Sequence, residues 1–89
     1  MNIRILGIQV TNRFQLAGEV QKVLTRYGCS IKTRLGLNDE DMESDAAGLI
    51  ILELTGDENE WIKLENELLM IEGVLVEKMN FTSKKLILE

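Results

Sequence analysis

Histidine is absent from this 89-residue chain, and that absence excludes more chemistry than any other. It removes the commonest general base near neutral pH and the commonest transition-metal ligand, so histidine-based triads and self-contained nickel, copper or zinc sites are ruled out. Cys29 is the single cysteine, which excludes an internal disulfide and every multi-cysteine zinc or iron-sulfur site within one chain. Positive charge is also scarce. Ten basic residues, scattered along the chain, stand against fifteen acidic ones, and the net charge of -5 repels phosphate backbones. Direct nucleic-acid binding is therefore not expected. The longest apolar run, Ala46 to Leu52, falls far short of the roughly 20 residues that a membrane-crossing helix needs. Met1-Asn2-Ile3-Arg4 lacks the basic-then-apolar layout of a signal peptide, so the expected location is the cytoplasm, with no membrane partner.

What is present is a pattern written twice. Ile3 to Val10 places Leu6, Ile8 and Val10 on one side of a strand and Ile3, Ile5 and Gly7 on the other. Asn12 is a good helix N-cap, and Leu16, Ala17, Val20, Val23, Leu24 and Tyr27 then recur at helical spacing up to a glycine stop at Gly28. Ser30 to Gly36 sets Ile31, Thr33 and Leu35 against Lys32 and Arg34, as an edge strand with one wet face would. The plan repeats after the acidic stretch Leu37 to Asp45, which reads as an exposed loop. Ala47 to Leu54 is the most apolar strand. Either Thr55 with Glu58 or Asp57 with Glu60 has capping-box spacing, and Trp61, Leu64, Leu68 and Ile71 form the second helix's stripe before Gly73. Val74 to Phe81 is the fourth strand. Leu86-Ile87-Leu88 lies in a C-terminal tail, residues 82–89, beyond a single domain over residues 1–81.

Two strand-helix-strand units predict an α+β fold, a ferredoxin-like βαββαβ sandwich of the ACT type. Its four-stranded antiparallel sheet carries both helices on one face, with the first and third strands central. If Leu6, Ile8, Val10, Ile50, Leu52 and Leu54 face the helices, then Ile3, Ile5, Leu49 and Ile51 face away from them. A chain of this size buries little core on its own, and a second apolar face needs a cover. Pairing with itself, as a homodimer or homotetramer through sheet faces or edges, is the expected solution.

Few residues stand out as chemistry. Asp39, Asp41 and Glu43 alternate like the start of a calcium loop, but Ser44 and Ile50 occupy the positions where that loop needs glycine and glutamate. No metal or other cofactor is expected. Cys29 has no basic neighbour in sequence to lower its pKa and reads as a small semi-buried residue rather than a nucleophile. Trp61 and Tyr27 sit on the apolar stripes of their helices, where packing is their default task. The segment Gly7 to Phe14 faintly resembles the phosphate loop of acylphosphatases, with Arg13 in the first strand-helix turn. It lacks the glycine of the anion cradle, and the next strand offers no asparagine.

A second resemblance runs nearly the length of the chain. Gly7-Ile8-Gln9-Val10, Asn12-Arg13, Tyr27-Gly28, Ile31, Arg34 and Gly36-Leu37 look like the first half of the iron-only hydrogenase system regulators. Thr55-Gly56-Asp57, Leu64, Leu68, Ile71, Gly73-Val74, Val76 and Lys78 continue the likeness. That family is similar in fold to ACT domains and to the C-terminal domain of nickel-responsive repressors. The resemblance implies a non-catalytic regulatory domain that binds a small ligand or a protein partner at subunit interfaces. Nickel sensing does not carry over, because the chain has no histidine. ACT amino-acid sites typically rely on a glycine in the first strand-helix loop, and Thr11-Asn12-Arg13 departs from that pattern. The candidate ligand contacts are Thr11, Asn12 and Arg13 at the first helix start, which suits a small anionic ligand, followed by Arg34 and Gly36 on the second strand. The competing functions are an acylphosphatase-like phosphate hydrolase built on Arg13 and a ligand-free protein-assembly module.

Overall fold

The computed structural model describes residues 2–11, 13–37 and 48–82. Strand β1 (Asn2–Val10) leads into helix α1 (Arg13–Arg26), a 3-10 turn (Gly28–Ser30) and strand β2 (Ile31–Leu37). Strand β3 (Gly48–Leu54), helix α2 (Glu58–Leu69) and strand β4 (Val74–Thr82) repeat the plan. The strands form one antiparallel sheet in the order β2-β3-β1-β4. This is the ferredoxin-like α+β arrangement, with the two most apolar strands in the middle as expected.

The strand alternation decides what each face holds. Leu6, Ile8, Val10, Leu52 and Leu54 are buried with Val20, Val23 and Leu24 of α1 and with Trp61, Leu64 and Leu68 of α2. A residue on one face of a strand is followed by one on the other. Ile3, Ile5, Leu49 and Ile51 therefore fall on the helix-free face, joined there by Leu35 of β2 and by Leu75, Met79 and Phe81 of β4 through the strand register. Half-exposed side chains there include Leu35, Leu75, Met79 and Phe81. The second apolar face foreseen in the sequence is real and lies open in the single chain.

Crossed ties at the ends of the sheet bind the two halves. The Thr11 amide and hydroxyl both donate to the Gly73 carbonyl, at 3.0 and 2.8 Å, so the start of α1 is pinned to the turn after α2. The Thr55 amide donates to the Ser30 carbonyl at 2.8 Å, the corresponding tie in the other direction. Gly73 holds φ at 92°, and a Cβ there would sit 2.8 Å from Leu16 Cδ1 and 3.0 Å from Thr11 Oγ1. Gly73→Ala is thus expected to lower the free energy of unfolding by about 2 kcal/mol, through positive-φ strain and displacement of that tie. Urea denaturation followed by circular dichroism would measure it.

Several local expectations change. The cap of α2 is Asp57, whose carboxylate accepts from the Asn59 amide at 2.9 Å, so the second of the two capping choices is the one formed. Helix α1 ends at Arg26, and Gly28 opens the 3-10 turn rather than capping with positive φ. Cys29 is exposed on that turn, not semi-buried. In β2 a bulge between Ile31 and Thr33 breaks the simple alternation. Ile31 then points to the helix side opposite Leu54, while Thr33 and Leu35 turn to the open face opposite Glu53 and Ile51. Arg34 and Gly36 are thereby placed on the helix side of this edge strand, where both are exposed. Asn12, residues 38–45 of the acidic stretch and Leu86-Ile87-Leu88 lie outside the described residues.

Candidate functional site

The positions chosen from sequence separate into two groups. Thr11 spends its hydroxyl on Gly73, Asn12 lies outside the described residues, and Arg13 is the first residue of α1. Arg34 and Gly36 instead share a cleft of about 460 Å³ between α1 and the β2 side of the sheet. Ala17, Gly18 and Gln21 of α1 form its upper wall, and Gly48 and Ile50 of β3 line it from the sheet. The cleft exists because Gly36, Gly48, Gly18 and Ala17 put little or no side chain into the space between helix and strands. Its volume falls in the range of roughly 300–1,000 Å³ usual for small-molecule sites. Among the described residues Arg34 has neither a hydrogen bond nor an ion pair, whereas Arg4, Arg26, Lys32, Lys63 and Lys78 all meet carboxylates. The Gln21 amide donates to Thr25 Oγ1 at 3.0 Å.

The corresponding space in the second half is filled. Trp61 is buried there and donates its indole N–H to the Thr55 carbonyl at 2.8 Å. The Arg4 guanidinium lies 5.5 Å from the centre of that ring, within the range of a cation–π contact. Arg4 also pairs with Glu65 at 2.7 Å and donates to Asn80 Oδ1 at 2.6 Å. Lys78 meets the other Glu65 oxygen at 3.3 Å. Glu65 is a buried carboxylate, and two cations, one on each oxygen, satisfy it. Two smaller hollows, of about 260 and 270 Å³, flank Trp61 near Asn2 and Glu58. Tyr27, the other aromatic on a helix stripe, lies against Glu67 of α2, and a hydrogen bond to that carboxylate raises its phenol pKa above the ordinary value.

Sequence reading missed Ala17, Gln21 and Gly48. The signal for them was in the duplication. Setting Thr11 on Thr55 puts Ala17 on Trp61, Gln21 on Glu65 and Gly48 on Arg4. Small residues announce nothing when met singly, and these three become informative only against their partners in the other half.

No family model matches the chain, and no curated protein does. Among solved structures it is similar to the uncharacterized protein TM1266 from Thermotoga maritima, with a TM-score of 0.78 and 24% identity over 92% of this chain and 100% of that one. SnoaB, a cofactor-independent oxygenase from Streptomyces nogalater, matches over 99% of this chain and 98% of its own at 12% identity. Its TM-score of 0.49 is too loose a likeness to say anything of this chain. The Thermotoga structure establishes a small α+β domain of this fold, and nothing further.

Proposed function

We propose that the chain is a non-catalytic regulatory domain of the ACT-like plan that senses a small ligand and acts as a homo-oligomer. The observation that carries this reading is the lining of the α1–β2 cleft. A guanidinium and a carboxamide stand among Val10, Ala17, Gly18, Val20, Gly36, Gly48 and Ile50. None of these side chains is a carboxylate, hydroxyl, thiol or amine, so the described residues of the lining can hold and orient a molecule but include no nucleophile and no group that exchanges protons near neutral pH. The open apolar face of the sheet supports the oligomer, because another copy is the cover that a symmetric dimer supplies. The likeness to iron-only hydrogenase system regulators supports a place in that system, in maturation or expression of the hydrogenase. Since the chain carries a net charge of -5, contact with DNA would fall to another protein.

Thermal-shift screening against amino acids, carboxylates, nucleotides and metal ions tests the sensing function. A true ligand at 100 times its Kd stabilises the folded state by about 2.7 kcal/mol, which raises Tm by on the order of 10 °C in a domain this small. The expected result is such a rise with one chemical class, lost in Arg34→Ala. An unmutated protein that no ligand shifts, and that hydrolyses acyl phosphates until Arg13 is replaced by alanine, would establish the phosphatase instead.

A further inference from the structure

The pseudo-symmetry of the fold says what the α1–β2 cleft lacks. The central pairing of β1 with β3 maps onto itself when the halves are exchanged: Ile5 opposite Glu53 becomes Leu49 opposite Gln9, and both pairs are present. Edge strands β4 and β2 correspond by register in the same way, although β2 is displaced along the chain by two residues, one of them inserted by its bulge. Lys78 lies opposite Leu6, and its counterpart opposite Ile50 is Gly36. Val76 lies opposite Ile8, and its counterpart opposite Leu52 is Arg34. The cluster of Trp61, Glu65, Arg4 and Lys78 is thus answered across the pseudo-twofold by Ala17, Gln21, Gly48 and Gly36. One half places an indole ring, a guanidinium stacked on it and a carboxylate between two cations. Among the described residues, the lining of the corresponding cleft in the other half has no ring and no carboxylate, and its one cation, Arg34, has no partner.

Resting on the ligand-sensing reading of this cleft, we infer that its ligand is a small aromatic carboxylate that supplies in trans what Trp61 and Glu65 supply within the chain. Its ring takes the space that Ala17 leaves where α2 carries Trp61, over a floor of Gly48 and Ile50. Its carboxylate meets Arg34, whose planar guanidinium can bind it through two parallel hydrogen bonds. Gln21, neutral where α2 has Glu65, removes the negative charge that would repel such a ligand. A cation is disfavoured because Arg34 is the only charged residue among the described residues of the lining. A nucleotide would bring several charges to a site with one cation.

Calorimetric titration of the full chain with indole-3-acetate and with its neutral counterpart indole-3-acetamide tests this class. The acid is expected to bind at least 10-fold more tightly than the amide, and Arg34→Gln is expected to erase the difference. Ala17→Trp, which copies the second half into the first, is expected to abolish binding of the acid without lowering Tm. Should that variant fail to fold, Ala17→Leu fills part of the same space and is expected to weaken binding at least 10-fold. Equal affinity for acid and amide, no binding of either, or undiminished binding to the folded Ala17 variants overturns the proposal. If another chemical class raises Tm in the wider screen and loses its effect in Ala17→Trp, the cleft stands as a sensor and the aromatic carboxylate falls. If nothing in that screen shifts Tm, both readings fall together.

Discussion

Trp61→Ala lowers the free energy of unfolding by about 4 kcal/mol, the upper part of the range for removing a buried large aromatic side chain. Trp61 is 2% exposed and belongs to the central cluster with Leu64 and Leu68. Its loss empties the space between α2 and the β1–β4 side of the sheet, strips the Thr55 carbonyl of its indole donor and takes the stacked ring from beneath Arg4. Typical domains hold roughly 0.05–0.15 kcal/mol of stability per residue, so the variant of so short a chain approaches the point of unfolding. Circular dichroism through a urea titration is the suitable measurement, because Trp61 is the single tryptophan and fluorescence disappears with it. Trp61→Phe keeps much of the packing and loses the N–H, and is expected to cost about 2 kcal/mol. A loss below about 1 kcal/mol in Trp61→Ala would mean that the indole is not the keystone of the second half. The cleft in the first half would then lose its meaning as the same site with the keystone removed.

Ile51→Glu is expected to separate the proposed oligomer into single chains while leaving each chain folded. Ile51 lies on central strand β3, on the helix-free face opposite Gly7 of β1 and Leu35 of β2. When that face is covered by another copy, the substitution buries an unpaired carboxylate at its middle, in every copy at once. The penalty for an unpaired buried charge is several kcal/mol, and about 4 kcal/mol corresponds to a roughly 1,000-fold weaker association. The helix-side core, from Leu6 to Val74, makes no use of Ile51, so the circular dichroism spectrum should not change. Thr33→Glu on the same face is a weaker probe, since Thr33 lies on the edge strand and its hydroxyl already donates to Glu53 at 3.1 Å.

Most of the scaffold was legible because strand alternation and helical spacing are properties of residues close together in the chain. Leu6, Ile8 and Val10 announce a buried face in a run of five residues, and Ile3 and Ile5 announce its opposite. The face of Arg34 was not legible, because it depends on a bulge that inserts an extra residue into β2 against β3, and only the pairing of the two strands reveals it. The cap at Asp57 was one of two choices that spacing left open, and the backbone settled it. Thr11 was read as a ligand contact from its place at a helix start. What its hydroxyl meets, the Gly73 carbonyl, lies far along the chain and is brought there only by folding. The cleft itself was hidden for a different reason. It is made by side chains that are missing, and a missing side chain becomes a signal only when a second copy of the same plan shows what belongs in its place.

A regulatory domain that passes a binding event between copies must first associate with itself, and the mass of the unmutated chain in solution tests this most directly. Light scattering at micromolar concentration is expected to give twice the 10.1 kDa of one chain or a higher multiple, falling to the single-chain mass in Ile51→Glu. A mass of 10.1 kDa for the unmutated chain would contradict it and leave the apolar face of the sheet without the partner proposed for it.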